Sequence, residues 1–148
     1  MTDRRGPRGS SPKIGGEEGI DGLRILYAED HPEMQRAVAR LLSVAGATVT
    51  IARDGLEATD KALAESFDLV LMDLRMPRMD GFAAARALRA AGLAVAIIAV
   101  TADATLVVQA NAVAAGFDAV ISKPFELVDI IGAIQLLRER PSEAESRR

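Results

Sequence analysis

Five short apolar runs alternate with five longer stretches in which apolar residues recur at helical spacing. Because the short runs are apolar almost throughout, they are typical of strands covered on both faces of a parallel sheet. The longer stretches carry apolar residues three and four positions apart, which predicts amphipathic helices. Strands are predicted near residues 24–28, 48–52, 67–72, 95–100 and 118–122, and helices near residues 32–45, 55–65, 81–91, 105–114 and 125–138.

The alternation of strands with helices of 10 to 15 residues indicates βαβ units with right-handed crossovers. Local signals support the helix ends. Pro32 suits the first position of a helix, and Gly46 suits the left-handed backbone conformation that ends one. Asp54 followed by Glu57 is the pattern of a capping box at the start of the second helix. The fold class predicted is therefore α/β, with a doubly wound parallel sheet.

The chain divides into three parts by composition. Residues 1–22 are rich in Gly, Ser, Pro and mixed charge, which predicts a disordered leader or linker. Residues 23–138 carry the alternating pattern and form the expected domain. Residues 139–148 are polar, and Pro141 is expected to close the last helix.

Composition excludes several classes of function. The 148 residues carry a net charge of −3, which gives no basic footprint for nucleic acid or for a membrane surface. The absence of cysteine excludes disulfides and thiolate metal sites. The first residues lack the apolar core of a signal peptide, and no stretch is long enough to span a bilayer. We therefore expect a cytoplasmic protein.

Chemically active side chains follow four of the predicted strands. Glu29 and Asp30 come after the first strand, Asp73 after the third, Thr101 after the fourth and Lys123 after the fifth. In sheets of this kind, ligands bind outside the carboxyl ends of the strands. These residues are therefore expected to converge on one crevice.

Three carboxylates, a hydroxyl and an ammonium suit a divalent cation and a phosphoryl group. Mg²⁺ prefers oxygen ligands and keeps several waters, so one or two carboxylates are sufficient to hold it. A carboxylate such as Asp73 can act as a nucleophile toward phosphorus. Mg²⁺, Lys123 and Thr101 would then each cover one phosphoryl oxygen. The Lys123–Pro124 bond is a candidate for a cis peptide in a tight turn that aims the lysine into the crevice.

With these residues in place, the chain resembles the receiver domain of two-component response regulators. The resemblance rests on four motifs whose order and spacing match together. They are Ile25-Leu26-Tyr27-Ala28-Glu29-Asp30, the segment from Asp68 to Gly81 that contains Asp73-Leu74-Arg75-Met76-Pro77, Val100-Thr101-Ala102 and Ser122-Lys123-Pro124-Phe125.

The resemblance implies a role for each matching residue. Asp73 matches the phosphoacceptor, which takes a phosphoryl group from a histidine kinase or a histidine phosphotransfer protein. Asp30 matches a direct Mg²⁺ ligand, and Glu29 is expected to act through water. The backbone carbonyl of Arg75 would be a further ligand, with Asp73 completing the metal site.

The remaining implications concern the switch and the fold. Thr101 matches the hydroxyl that moves toward the phosphoryl group, and Lys123 matches the lysine that pairs with it. The family fold is flavodoxin-like, a five-stranded sheet in the order 2-1-3-4-5. A downstream protein or domain would bind the face made by the fourth helix, the fifth strand and the fifth helix. The chain would be a phosphoacceptor that assists its own phosphorylation and dephosphorylation, and not a conventional enzyme.

Two positions depart from the family pattern. The family usually has Tyr or Phe three residues before the lysine, and here that position is Val120. A switch that depends on a rotating aromatic ring is therefore in question. The acidic pair is Glu-Asp rather than Asp-Asp, a variation that leaves metal binding intact. Tyr27, the only tyrosine, is interpreted as a packing residue of the first strand.

Other functions are weighed against the signalling switch. A flavin-binding module needs a phosphate loop after the first strand, where this chain has acidic residues. A phosphatase of the haloacid dehalogenase type needs a second aspartate at the position of Arg75. A pseudo-receiver that only docks other proteins remains the alternative, favoured by Val120 and opposed by Asp73. His31, the sole histidine, is interpreted as a loop residue beside the crevice rather than as a phosphohistidine.

Arg75 and Asp103 form a candidate gate, since each lies two residues after a site residue. We expect the two side chains to reach over the mouth of the crevice and to pair across the path of the attacking water. The wider context stays open between a stand-alone regulator and the receiver of a hybrid sensor kinase. The entry Gly22-Leu23-Arg24-Ile25-Leu26 slightly favours the hybrid kinase.

Overall fold

The computed structural model describes residues 19–139 and contains ten regular elements in strict alternation. Four strand–helix pairs precede a final strand and helix, and each of the first four helices connects two parallel strands. The elements are β1 (Arg24–Ala28), α1 (Pro32–Val44), β2 (Thr48–Ala52), α2 (Gly55–Ala64), β3 (Leu69–Asp73), α3 (Gly81–Ala90), β4 (Ala96–Thr101), α4 (Leu106–Ala115), β5 (Ala119–Ser122) and α5 (Leu127–Arg138).

The five strands form one parallel sheet in the order β2-β1-β3-β4-β5. The predicted doubly wound α/β fold and its strand order are therefore confirmed. The register brings the carboxyl ends of β1, β3, β4 and β5 level with one another. Ala28 pairs with Met72, Asp73 with Val100, and Thr101 with Ser122. The order reverses between β1 and β3, and such switch points are where ligands bind in open α/β sheets.

Alternate residues of the strands feed two separate apolar layers. On one face, Ile25 and Tyr27 of β1 pack with Val38 and Leu42 of α1 and with residues of α5. On the other face, Leu26 and Ala28 join a layer in which alanines of α2, α3 and α4 are fully or nearly fully buried. The small alanine side chains leave room for three helices on one face.

Local chemistry explains where most helices begin and end. Pro32 opens α1, and Gly46 has a φ of 103° just after it, a conformation that favours glycine. Asp54 caps α2 by accepting the Glu57 N–H at 2.8 Å. The carboxylate of Glu57 accepts the N–H of Arg53, so the predicted capping box is displaced by one residue.

The folded region begins earlier than residue 23, the boundary expected from composition. Gly19 to Gly22 form a turn in which the Ile20 side chain is buried within the α1 and α5 layer. The Gly22 N–H donates to the carbonyl of Gly46, and Leu23 N–H donates to Ile20. The rest of the predicted leader, residues 1–18, and the tail from residue 140 lie outside the described residues.

The predicted elements differ from the observed ones by one or two residues at most. Strand β3 begins at Leu69, because the Asp68 carboxylate turns back to accept the N–H of Arg24 at 2.8 Å. Helix α4 begins at Leu106 with Thr105 as its cap, and α5 begins at Leu127. No helix within residues 19–139 has the length and apolar character that crossing a bilayer requires.

Candidate functional site

The predicted site residues lie at the carboxyl edge of the sheet. Asp73 is the last residue of β3 and Thr101 the last residue of β4, while Lys123 directly follows β5. Glu29 and Asp30 directly follow β1. The parallel arrangement of the strands therefore brings residues 94 positions apart in sequence into hydrogen-bond contact.

Lys123 is the centre of the contact network. Its ammonium donates to Asp73 Oδ2 at 2.6 Å and to Glu29 Oε1 at 3.0 Å. Both carboxylates are buried, and the lysine side chain is only 17% exposed. A buried charge is tolerated when it is paired and hydrogen-bonded, and these three groups meet that condition together.

Burial and pairing act in opposite directions on these groups. Burial raises the pKa of Asp73 above its ordinary value, against the lowering effect of Lys123. Burial also acts to raise the pKa of Glu29, but hydrogen bonds from Lys123 and His31 bring it below the ordinary value. Burial lowers the pKa of Lys123 less than the two carboxylates raise it, so the ammonium stays charged.

Glu29 is saturated with protein donors. Oε1 accepts from Lys123 and from the Tyr27 hydroxyl at 3.0 Å, and Oε2 accepts the His31 N–H at 3.1 Å. His31 Nδ1 also lies 3.0 Å from Oε2. A carboxylate with both oxygens occupied is poorly placed to ligate a metal directly. That Glu29 acts on a metal through water stays a prediction.

The Tyr27 hydroxyl makes a contact that sequence reasoning missed. The ring packs in the apolar layer as expected, but its hydroxyl reaches the carboxylate of Glu29, two residues further along the chain and just after β1. Alternation along an extended chain puts residues 27 and 29 on the same face, and this signal could have predicted the contact.

Asp30 differs from its neighbour. Its Oδ1 atom is buried and has no hydrogen-bond partner among the described residues, and His31 Nδ1 lies 3.4 Å from it. Asp30 also lines an open pocket of about 610 Å³ together with Arg75 and Asp80. A buried carboxylate oxygen that lacks a donor is suited to a cation.

His31 lies at the crevice, directly before α1. Its ring is exposed, and the hydrogen bond with Glu29 raises its pKa above the ordinary value, with Asp30 adding to the effect. Glu29, Asp30 and His31 place one ligand atom each within 4.8 Å of one another. His31 therefore lies in the loop before α1, beside the crevice, as the sequence predicted.

Arg75 contributes through both its backbone and its side chain. Its N–H donates to Asp73 Oδ1 at 3.0 Å, which fixes the second oxygen of that carboxylate. Its guanidinium lies 3.9 Å from Asp103 Oδ2, so the two gate candidates form an exposed pair between the β3 and β4 loops. Whether the Arg75 carbonyl ligates a metal stays a prediction.

Thr101 is buried at the end of β4, but its hydroxyl contacts its own loop. Oγ1 accepts the Asp103 N–H at 3.0 Å and lies 3.4 Å from the Asp103 carbonyl. The expected contact with a phosphoryl group therefore requires this hydroxyl to turn away from Asp103. Its predicted role is untested by the geometry.

Val120 lies in β5, opposite Ala99 of β4, and is partly buried against the α2–α4 layer. Phe117 lies in the turn before β5, as the sequence register predicted, and its ring packs edge-on against Phe82. The Lys123–Pro124 bond is cis, as considered from the sequence.

The loop between β3 and α3 is held against the neighbouring loop. Arg78 Nε donates to Asp54 Oδ2 at 2.9 Å, and the Gly55 N–H donates to the Met79 carbonyl at 3.0 Å. A Cβ atom on Gly81 would lie 2.4 Å from the Asp73 carbonyl, so only glycine fits there. Sequence reasoning missed the Arg78–Asp54 pair, because the two residues are 24 positions apart.

Comparisons with known proteins agree with this fold and crevice. The response regulator receiver domain family matches residues 25–135. The sensor histidine kinase RcsC of Escherichia coli (strain K12) is 34% identical over 120 residues, which are 81% of this chain and 13% of RcsC. The response regulator MprA of Mycobacterium bovis (strain BCG / Pasteur 1173P2) is 32% identical over 124 residues, which are 82% of this chain and 54% of MprA.

Solved structures show the same architecture. The receiver domain of the sensor histidine kinase PA1611 from Pseudomonas aeruginosa PAO1 aligns with a TM-score of 0.73 and 35% identity, over 80% of this chain and 99% of that one. That structure has a magnesium ion coordinated in its active site cleft. The protein is thus of the two-component signalling class. Within that class, the chain belongs to the response regulator receiver domain family. It spans little more than half the length of MprA and a small part of RcsC.

Proposed function

We propose that this chain is a phosphorylation-controlled switch and that Asp73 accepts the phosphoryl group. The observation that carries the proposal is the contact of the Lys123 ammonium with Asp73 Oδ2 at 2.6 Å, in a buried pair at the carboxyl edge of the sheet. A carboxylate that is fixed by an ammonium and a backbone N–H, and whose burial raises its pKa, is oriented for nucleophilic attack.

The proposed donor is a phosphohistidine of a histidine kinase or of a histidine phosphotransfer protein. A carboxylate oxygen of Asp73 attacks phosphorus, and the P–N bond breaks. The electron pair leaves with the imidazole nitrogen, which takes up a proton from solvent. Water later attacks the aspartyl phosphate in line, releases inorganic phosphate and regenerates the carboxylate. The chain thereby assists its own phosphorylation and dephosphorylation.

Mg²⁺ is the proposed cofactor. The residues present fit it, because the buried Oδ1 of Asp30 lacks a donor and two further carboxylates, those of Glu29 and Asp73, lie beside it at the crevice around Lys123. Asp30, Asp73 and the Arg75 carbonyl would hold the ion, with Glu29 bound through water. When bound, Mg²⁺ neutralises charge on the phosphoryl oxygens. Lys123 covers another of these oxygens, and the Thr101 hydroxyl turns from Asp103 to reach a third.

The proposed output surface is the face formed by α4, β5 and α5. Its helices expose large apolar side chains, and such side chains mark binding surfaces when they lie together. They include Leu106, Val107 and Val113 of α4 and Val128 and Leu136 of α5. Val128 and Leu136 also line a pocket of about 830 Å³ beside β5. We propose a protein or domain as the partner, because the net charge of −3 offers no attraction for nucleic acid or for an acidic membrane.

A second candidate is a pseudo-receiver that docks partners without phosphorylation. The observation that favours it is Val120, since a branched aliphatic side chain in β5 cannot swing as a ring does. The two candidates differ in whether Asp73 chemistry changes the output. We place either activity in the cytoplasm, where histidine kinases present their phosphohistidines. The relatives include both a sensor histidine kinase and a response regulator, so a stand-alone regulator and the receiver of a hybrid kinase both stay proposals.

Phosphoramidate tests the proposal, because its P–N bond is like that of phosphohistidine. The full chain is incubated with phosphoramidate and Mg²⁺, and its intact mass is followed with time. We expect one phosphoryl group on the wild type and none on Asp73→Asn, with Asp68→Asn as the control that keeps labelling. Equal labelling of Asp73→Asn would overturn the assignment, and an unlabelled wild type would favour the pseudo-receiver.

A further inference from the structure

We propose that Tyr27 is a positioning residue whose buried hydroxyl holds Glu29 while Lys123 moves to the phosphoryl group. The inference rests on the proposed function and adds to it a residue that the sequence indicated only as a packing residue. Tyr27 is the only tyrosine of the chain, and its side chain is fully buried in β1. Its hydroxyl donates to Glu29 Oε1 at 3.0 Å.

The apolar layer alone does not account for a hydroxyl at this position. The ring packs among aliphatic residues of β1, α1 and α5, where phenylalanine would fill the same volume. Burying a hydroxyl is unfavourable unless it finds a hydrogen-bond partner. Here the partner is a charged carboxylate of the site, so the hydroxyl connects the core to the chemistry.

Two donors share the same oxygen of Glu29. Oε1 accepts from the neutral Tyr27 hydroxyl and from the Lys123 ammonium, each at 3.0 Å. The two His31 contacts are on the other oxygen, Oε2. The His31 donors therefore cannot replace Lys123 at Oε1 without a rotation of the carboxylate.

Phosphorylation changes what Lys123 must contact. Once Asp73 becomes an acyl phosphate, the ammonium follows the negative charge to the phosphoryl oxygens and its bond to Glu29 weakens. With Tyr27 in place, Oε1 keeps a donor throughout. Without the hydroxyl, a fully buried carboxylate oxygen would lose every donor that contacts it, which is costly. Tyr27 therefore lowers the cost of moving Lys123.

Tyr27→Phe tests the inference, because it removes the oxygen and keeps the ring. The rate of labelling by phosphoramidate and Mg²⁺ is expected to fall by roughly fivefold, the order expected for partial loss of a hydrogen bond to a charged group. Thr59→Val is the matched control: it deletes a hydroxyl that donates to the Gly55 carbonyl within α2, and labelling is expected to be unchanged.

A double-mutant cycle separates this role from general damage to the fold. If Tyr27 acts through Glu29, adding Tyr27→Phe to Glu29→Gln changes the labelling rate by less than about twofold. Independent, multiplying losses would overturn the proposal. If Tyr27→Phe is phosphorylated as fast as the wild type, the role of Tyr27 is overturned while the proposed function stands. A wild type that takes no label would overturn both.

Fluorescence gives a readout that needs neither Mg²⁺ nor phosphorylation. The chain has one tyrosine and no tryptophan, so its emission reports Tyr27 alone. A tyrosine hydroxyl that donates to a carboxylate emits weakly, so Glu29→Gln is expected to brighten the emission. Asp30→Asn, which removes the adjacent carboxylate, is expected to leave it unchanged. Equal emission from the wild type and Glu29→Gln would show that the contact does not position Glu29, and would overturn the proposal.

Discussion

At the scale of single residues, neighbouring carboxylates of the same charge have different environments. Glu29 has four donor contacts and is fully buried. Asp30 follows it directly, yet its buried Oδ1 has no donor. We therefore expect different roles for the two residues: Glu29 holds Lys123, and Asp30 is available to a cation.

Removing the Asp30 charge is expected to stabilise the metal-free protein, because repulsion between like charges is lost. Asp30→Asn should therefore melt at a higher temperature than the wild type without Mg²⁺. The wild type should gain stability when Mg²⁺ is added, and Asp30→Asn should gain little. Asp60→Asn, at an exposed position of α2, is the control that keeps the Mg²⁺ response. A destabilised Asp30→Asn with a normal Mg²⁺ response would contradict this picture of the crevice.

Arg75 and Asp103 form the expected pair, with side chains 81% and 44% exposed. An exposed pair contributes about 0–1 kcal/mol to stability, so its effect should appear in access of water to phosphorus. Arg75→Ala and Asp103→Ala are each expected to speed dephosphorylation by up to roughly fivefold, the rate equivalent of about 1 kcal/mol. The double variant should be no faster than the quicker single.

Arg24→Ala is the control for this gate. It removes an exposed pair with Glu65 at the opposite edge of the sheet, where no effect on phosphoryl loss is expected. The measurement is the decay of phosphorylated protein after the donor is removed. Additive effects of the two gate substitutions, or unchanged decay in both singles, would exclude the gate.

At the scale of elements, one arginine fastens three segments on the α3 and α4 side of the sheet. Arg89 of α3 donates to the carbonyls of Leu93, Val95 and Gly116 at 2.7–2.9 Å, and to Asp118 Oδ2 at 2.9 Å. It thereby ties the end of α4 to the loop before β4. The N-terminal end of α4 follows the loop after Thr101 and is near the site. The contacts of Arg89 therefore hold the C-terminal end of α4, which lies away from the site.

Arg89→Ala is expected to lower the free energy of unfolding by about 2–3 kcal/mol, because several partly buried acceptors lose a charged donor at once. Arg86→Ala, at an exposed position of the same helix, should change it by less than about 0.5 kcal/mol. Urea denaturation measures both. Equal effects of the two substitutions would show that the contacts of Arg89 contribute nothing beyond those of a surface arginine.

Sequence patterns predicted the elements well because apolar periodicity determines which faces are buried. The strand ends at Asp73 and Lys123 followed from this, since parallel strands bring their carboxyl ends to one edge. Contacts between side chains distant in sequence were not predictable in the same way. The contacts of Arg89 and the Arg78–Asp54 pair depend on the packing of helices and loops, which periodicity does not specify. The Thr101 hydroxyl likewise points to Asp103, a rotamer that no motif encodes.

At the scale of the whole molecule, the site exists only when the sheet is complete. Its residues come from β1, β3, β4 and β5 or the loops that follow them, and α2 and α3 support those loops from one side. The stability of the fold and the geometry of the crevice are therefore linked. The loop from Leu74 to Asp80 is an example, because Asp54 before α2 holds it through Arg78.

Low pH is expected to lower the free energy of unfolding partly through protonation of Asp54. The backbone hydrogen bond from Glu57, followed by the pair with Arg78, holds the pKa of Asp54 below its ordinary value of 3.8. A depressed pKa in the folded state contributes stability above pH 3.8, and this contribution is lost as pH falls through the folded pKa. Asn caps a helix about as well as Asp, so Asp54→Asn removes mainly the charge.

The wild type is therefore expected to be more stable than Asp54→Asn by about 1 kcal/mol near neutral pH, because Arg78 is exposed and its pairing is partly screened. The gap should be fully present above pH 3.8 and should narrow as the pH falls through the folded pKa of Asp54, where the carboxylate becomes protonated. Urea denaturation of both proteins across this range measures the gap. A gap that stays constant from neutral pH to the acid limit would exclude the charge of Asp54 as its source.

The central claim is that the phosphoryl group forms an acyl phosphate on residue 73, and chemical mapping tests it most directly. The labelled full chain is treated with borohydride, which reduces an aspartyl phosphate to homoserine, and the peptides are sequenced by mass spectrometry. The account predicts homoserine at position 73 and unmodified Glu29, Asp30 and His31. Reduction at Glu29 or Asp30, or a phosphoryl group on His31 with Asp73 untouched, would contradict it.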